Sequence, residues 1–222
     1  MRAPKAKFAF KRKGAAAPRT ATPTPAPAPP SAPATVPAES ASGLAFSSKS
    51  HAYLTLDSLS TDSDATELAI ADLDHCLVNL VPPTRTFSAI HVRNVTNSVL
   101  ILGNVTGSVL LHDVQRCILV LRCHQFRMHT SKETDVYLSI PSNPIIEHSS
   151  RIRFSAYPDS LDLSETQSNS KHLAVQDFSH VRPTPSPNWS ALPADKAIKE
   201  WPVEVGDTSV DEVVERLLVS LQ

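Results

Sequence analysis

The chain has 222 residues, 41% of them hydrophobic, enough for one sizeable core and a tail. Its 21 basic and 22 acidic residues give a formal charge of −1, so no global field selects a nucleic-acid partner. No apolar run approaches the roughly 20 residues that a membrane-spanning helix needs, the basic start lacks the apolar stretch of a secretory signal, and Arg2 stands where N-myristoylation needs glycine.

The odd count of three cysteines, Cys76, Cys117 and Cys123, fits free thiols in a reducing compartment, so a cytoplasmic protein without a membrane anchor is expected. Up to Arg19 every charge is basic, and the first acid is Glu39. Such an arm is solvated, or it docks on an acidic surface. From Ala17 to Ser40 the chain is almost only Ala, Pro, Thr and Ser, which cannot bury a core and favours extended polyproline II. Residues 1–42 are therefore expected to be a disordered arm, and residues 43–222 the folded domain.

The folded part is rich in short β-branched runs. "HCLVNL", "NSVLIL", "RCILVL", "TDVYLS" and "SRIRFS" recur from His75, Asn97, Arg116, Thr134 and Ser150. Between them lie "FSAIHV", "GSVLLH", "HQFRMH" and "NPIIEH", from Phe87, Gly107, His124 and Asn143. Two interleaved registers with a common step near 18–20 residues predict a β-solenoid, each strand stacked on its counterpart about 4.8 Å away. An antiparallel sandwich would also show regular short strands, but here the two runs return in the same order each time. Only Gly103 and Gly107 lie in the repeat, so Asn, Asp, Ser and His must make the corners.

A solenoid needs caps on its open ends. In "DTSVDEVVERLLVSLQ", Ser209 and Glu212 have capping-box spacing, and Val210, Val213, Val214, Leu217, Leu218 and Leu221 form one helical stripe, predicting a capping helix. The Pro-rich strap before it carries Phe178 and Trp189 as expected anchors to the core.

The stretch "RCHQFRMH" concentrates polar chemistry in this β-rich region. With Phe126 inward, alternation sends Gln125 and Arg127 outward together, and His124 and Met128 share the Phe126 side. Arg127 and Glu147 are 20 residues apart, close to one coil, so Glu147 is expected beside Arg127 as an orienting carboxylate, on a face with His129, Lys132 and Asp135. Two readings stay open at this point: an exposed ion-pair ladder worth about 0–1 kcal/mol, or a guanidinium offered to a partner's phosphates. Cys117, Cys123, His124 and His129 match no zinc spacing, so no metal is expected. Nor is there a phosphate loop, so the chain is expected to bind no nucleotide or other cofactor by itself.

Together these residues carry a likeness. The stretch from Ser108 to Tyr157 resembles the cofactor C-like (C-CAP) domain family of tubulin-binding cofactor C, and the resemblance extends over roughly Thr66 to Tyr157. The family signature, approximately C-Q-Q-[LF]-R, then a His followed by D-x-[FY]-L, then I-I-E, becomes Cys123-His124-Gln125-Phe126-Arg127, then His129 with Asp135, Tyr137 and Leu138, then Ile145-Ile146-Glu147. "VQDFSHVRPTPSPNW" is similar to the family's tail, and "KFAFKRK" to its basic linker. His124 departs from the second signature position. The arm also stands where family members often carry a helical, spectrin-like domain.

The resemblance implies an all-β, right-handed parallel β-helix and a GTPase-activating role without enzymatic activity of its own. It implies that Arg127 is a catalytic arginine finger entering the nucleotide site of β-tubulin held with tubulin cofactors D and E. Gln125, Glu147, His129 and Phe126 become residues for positioning or partner contact. The protein would then be cytoplasmic, cytoskeleton-associated and monomeric. Two related roles stay open: activation of a small Arf-like GTPase, and an actin-binding module like that of cyclase-associated protein.

Overall fold

A computed structural model describes residues 43–59, 64–81, 85–161, 169–202, 206 and 208–221. The expected disordered arm, residues 1–42, lies outside the described residues. In chain order the strands are β1 (Leu44–Ser50), β2 (Tyr53–Thr55), β3 (Glu67–Asp74), β4 (Leu77–Asn79), β5 (Phe87–Thr96), β6 (Val99–Gln115) and β7 (Ile118–Arg122). They continue as β8 (Gln125–His129), β9 (Lys132–Ser139), β10 (Ile145–Glu147), β11 (Ser150–Ala156), β12 (Gln176–Asp177) and β13 (Trp189–Ala191).

All recorded strand pairings are parallel, and they form two columns. One column stacks β1, β3, β5, the second half of β6, β8, β10 and β12. The other stacks β2, β4, the first half of β6, β7, β9, β11 and β13. This is the predicted parallel β-solenoid. Like residues stack on like: Phe46, Ile70, Val92, Leu111, Met128 and Ile146 occupy one inward row, and Leu54, Val78, Leu100, Leu119, Val136 and Phe154 another. Both rows belong to one buried cluster inside the coils.

The two columns differ in what covers their outer faces. Strands of the first column alternate, as in β8, where Phe126 and Met128 are buried and Gln125 and Arg127 exposed. The middle strands of the second carry unbroken buried runs, as in β4 and the first four residues of β7. Their outward residues Leu77, Val99, Ile101, Ile118, Val120 and Tyr137 form a second cluster with Val213, Val214, Leu217 and Leu218 of the helix α1 (Val210–Leu218). A strand covered on both faces needs apolar residues at every position, whereas one with a wet face needs them only at alternate positions.

The helix begins as expected, with the Ser209 hydroxyl accepting from the Glu212 amide at 3.2 Å. It does not close an open end, however. It lies against the outer flank of the second column, with Asp211 bonded to His51 of the first coil and the Ser220 carbonyl accepting from Arg153 on β11. The expected strap anchors also divide. Trp189 packs edge-on against Phe154 at 6.1 Å, while the Phe178 side chain stays 54% exposed and outside the core clusters, only its backbone amide reaching the Ile146 carbonyl.

Corners between the columns are made largely without glycine. Residues with positive φ recur in pairs three apart: Ser48 and His51, Asp72 and His75, Asn94 and Asn97, Asp113 and Arg116, Thr130 and Glu133, His148 and Arg151. Asn, Asp, Ser and His supply most of them, as expected, because their short polar side chains tolerate the left-handed region. The corners are laddered by side chains, with Asn94 donating to Asp72 at 2.7 Å and Thr130 to Asp113 at 2.6 Å. Gly107 serves a different need. It lies within β6 beside a register shift, where a Cβ would sit 2.2 Å from the Ser88 carbonyl oxygen.

A candidate partner-binding face around Arg127

The uncovered outer face of the first column is where the polar residues of β8 emerge. Its alternation puts Gln125, Arg127 and His129 on that face. Phe126 points the other way, 1% exposed and edge-on to Phe154 at 6.0 Å, so any role it has is to hold the strand in place. Met128 is inward as expected, but His124 is exposed and precedes the strand.

Register decides the neighbours of Arg127. Leu110 precedes it by one rung and Ile145 follows it. The coil between β8 and β10 is 18 residues long, not 20, so Glu147 pairs with His129 and the expected Arg127–Glu147 pair does not form. The Glu147 carboxylate lies 3.4 Å from His129 Nδ1 and 3.9 Å from His148 Nδ1. Arg127 is exposed, and its side chain makes no hydrogen bond or ion pair among the described residues.

Two further members of the expected face are elsewhere. Lys132 lies at the corner, in register with Gln115 and Ser150. Asp135 is fully buried in the second column, where Arg153 grips it with two bonds of 2.6 and 2.8 Å. Burial pushes its carboxyl above the ordinary value, and the Arg153 guanidinium opposes that rise. The odd–even parity of Asp135 matches an outward position, but the outside of that column is filled by the helix.

His112 belongs to the face and escaped the sequence reading. It registers with His129, and the two rings stack with centroids 5.0 Å apart. Burial, with the neighbouring His129 adding to it, pulls the His112 imidazole below its usual value. A coil step of 17 residues from His112 to His129 was the available signal. Arg93, exposed and in register with His112, extends the basic character one rung further. The three cysteines play no part here. All are buried, and burial pushes the Cys117 and Cys123 thiols up to about 12, which makes them core residues and not thiolate ligands.

A model of the family described as tubulin binding cofactor C matches residues 65–184, more than half of the chain. Tubulin-folding cofactor C of Arabidopsis thaliana is 36% identical over 140 residues, covering 60% of this chain and 40% of that protein. Tubulin-specific chaperone C of Mus musculus is 33% identical over 212 residues, covering 89% of this chain and 61% of that protein. The solved structure of tubulin binding cofactor C from Leishmania major covers 69% of this chain and 91% of that one, at 18% identity and a TM-score of 0.43. The chain thus spans less than two thirds of the length of the two curated relatives. On the match to more than half of its residues, the chain belongs to the tubulin binding cofactor C family.

Proposed function

We propose that this chain acts in tubulin folding as a GTPase activator, with Arg127 entering the nucleotide site of β-tubulin held with tubulin cofactors D and E. The observation that carries the reading is the state of Arg127: exposed, flanked in register by Leu110 and Ile145, and unpaired among the described residues. A guanidinium already held by a carboxylate would have to break that pair before engaging phosphate. This one needs only to shed water, and its aliphatic neighbours help exclude water once a partner covers the face.

In phosphoryl transfer, charge spreads over the oxygens of the transferring group, and a planar, permanently charged fork stabilises it there. Gln125 emerges two residues away on the same side of the strand and contacts the partner near the nucleotide. Glu147 and His129 brace the neighbouring row; Glu147 acts through His129 and the partner, not through Arg127. Such a role would place the protein with tubulin in the cytoplasm. Among the described residues no helix is long and apolar enough to cross a membrane.

The test is GTP hydrolysis by tubulin with cofactors D and E, with and without this chain. Arg127→Ala is expected to lower the stimulated rate by about 10³-fold or more, with binding changed only a few-fold. Stimulation that survives the substitution overturns the assignment. A parallel assay with Arf-like GTPases identifies the partner: stimulation there and not with tubulin transfers the finger to that class.

A further inference from the structure

We infer that His129, Glu147 and His148 form a binding site for a divalent transition metal of the zinc class. Two imidazoles and a carboxylate are a donor set that zinc takes, with water completing the tetrahedron. Candidate ligand atoms of the three residues all lie within 4.8 Å of one another. With metal–ligand distances near 2.0–2.1 Å, tetrahedral ligands sit about 3.4 Å apart. His129 Nδ1 and Glu147 Oε2 already have that separation, 3.4 Å. His148 Nδ1 is 3.9 Å from the other carboxylate oxygen, Oε1, and its side chain is 68% exposed, so a change of rotamer can bring the ring in to complete the set.

The frame under these side chains is fixed. Parallel pairing of β8 with β10 sets His129 opposite Glu147. The Glu147 carbonyl accepts from the Thr130 amide at 3.0 Å, and the His148 amide donates to the Ser179 hydroxyl at 2.6 Å. The Glu147 carboxylate accepts no hydrogen bond among the described residues, so its lone pairs remain available. A partly exposed carboxylate between two imidazoles presents three donor groups toward one point, which a dication can bridge directly. His112, stacked on His129, is the nearest further imidazole.

A second cluster shows what the first has that is unusual. His51, Asp74 and His75 are also close enough to share an ion. There, however, Asp74 already accepts from Thr96, Asn97 and His75, and His51 Nδ1 is held by Asp211 at 2.7 Å. There the carboxylate is already committed to three donors, whereas among the described residues Glu147 faces only the two imidazoles.

The site is tested by calorimetric titration of zinc chloride into the full chain, with cobalt(II) absorption as the spectroscopic check. One saturable site is expected. His148→Asn, which keeps a residue tolerant of the left-handed backbone at φ +49°, and Glu147→Gln should each weaken it by about 10-fold or more. His75→Asn should leave it unchanged. At one zinc concentration the melting temperature of the parent chain should also rise by more than that of His148→Asn. Absence of a saturable site, an unaltered affinity in His148→Asn, or a loss in His75→Asn each overturns the inference.

Discussion

Arg153 and Arg127 sit on strands only one coil apart and meet opposite surroundings. Arg153 lies between Asp135 and the Ser220 carbonyl, beneath the end of the C-terminal helix, and its charge is fully engaged. Removing Asp135 would leave that guanidinium uncompensated in a dry place, so Asp135→Ala is expected to cost about 3–5 kcal/mol, read as a lower urea midpoint. Arg127 has no such partner among the described residues, and Arg127→Ala should change stability by less than about 0.5 kcal/mol. That contrast separates an arginine that holds the fold from one that does not, and it can be measured without any GTPase. Arg116 illustrates a third case, an exposed residue held at φ +54°. Arg116→Gly relieves the left-handed strain and loses some of that gain to unfolded-chain entropy, leaving a net stabilisation of up to about 1 kcal/mol.

At the scale of elements, the close contact at Gly107 and the corner ladders are the tightest constraints. Gly107→Ala would drive a Cβ into the Ser88 backbone, which cannot rotate away, so β6 must shift against β5. A loss of several kcal/mol is expected, as for other overpacked backbone sites, visible in the melting temperature. The corner after β3 contributes a pH dependence at the acid end. Burial would raise the Asp74 carboxyl, but donors from Thr96, Asn97 and His75 together outweigh it and hold it down to about 2. A depressed carboxylate contributes stability above its unfolded value, about 3.9, and loses that contribution as pH falls through about 2. Its side chain is 45% exposed, so solvent screening keeps the effect modest. Urea midpoints at pH 4 and pH 2 should therefore differ less in Asp74→Asn than in the parent chain. At the helix start, Ser209→Ala removes the acceptor for the Glu212 amide and should cost about 1 kcal/mol.

For the whole molecule, what could be read from residues alone follows a physical line. Period-2 alternation in "HQFRMH" and unbroken apolar runs such as "ILVL" are local patterns, and they identified strands, coil order and the outward pair Gln125 and Arg127 before any coordinates. The same contrast also marks which column is wet on one side and which is covered on both. The helix stripe and its Ser209 cap were equally local. Coil length was not. Corners absorb or release a residue, so steps of 17, 18, 19 and 22 occur in one solenoid. A carboxylate placed by an average step lands two positions from its true partner, and Glu147 meets His129 instead of Arg127. The helix stripe announced burial without saying against what: it covers a flank where an end cap was expected, because the outward row from Leu77 to Tyr137 is apolar and packs with the stripe in one cluster. The amino-acid sequence by itself determined the repeating strands, the helix and the outward arginine, since each depends on neighbours within a few residues. Only the tertiary structure decided that Arg127 stands between Leu110 and Ile145 with no side-chain partner among the described residues, and that Glu147 lies between two histidines, because stacking register depends on the length of every corner between them.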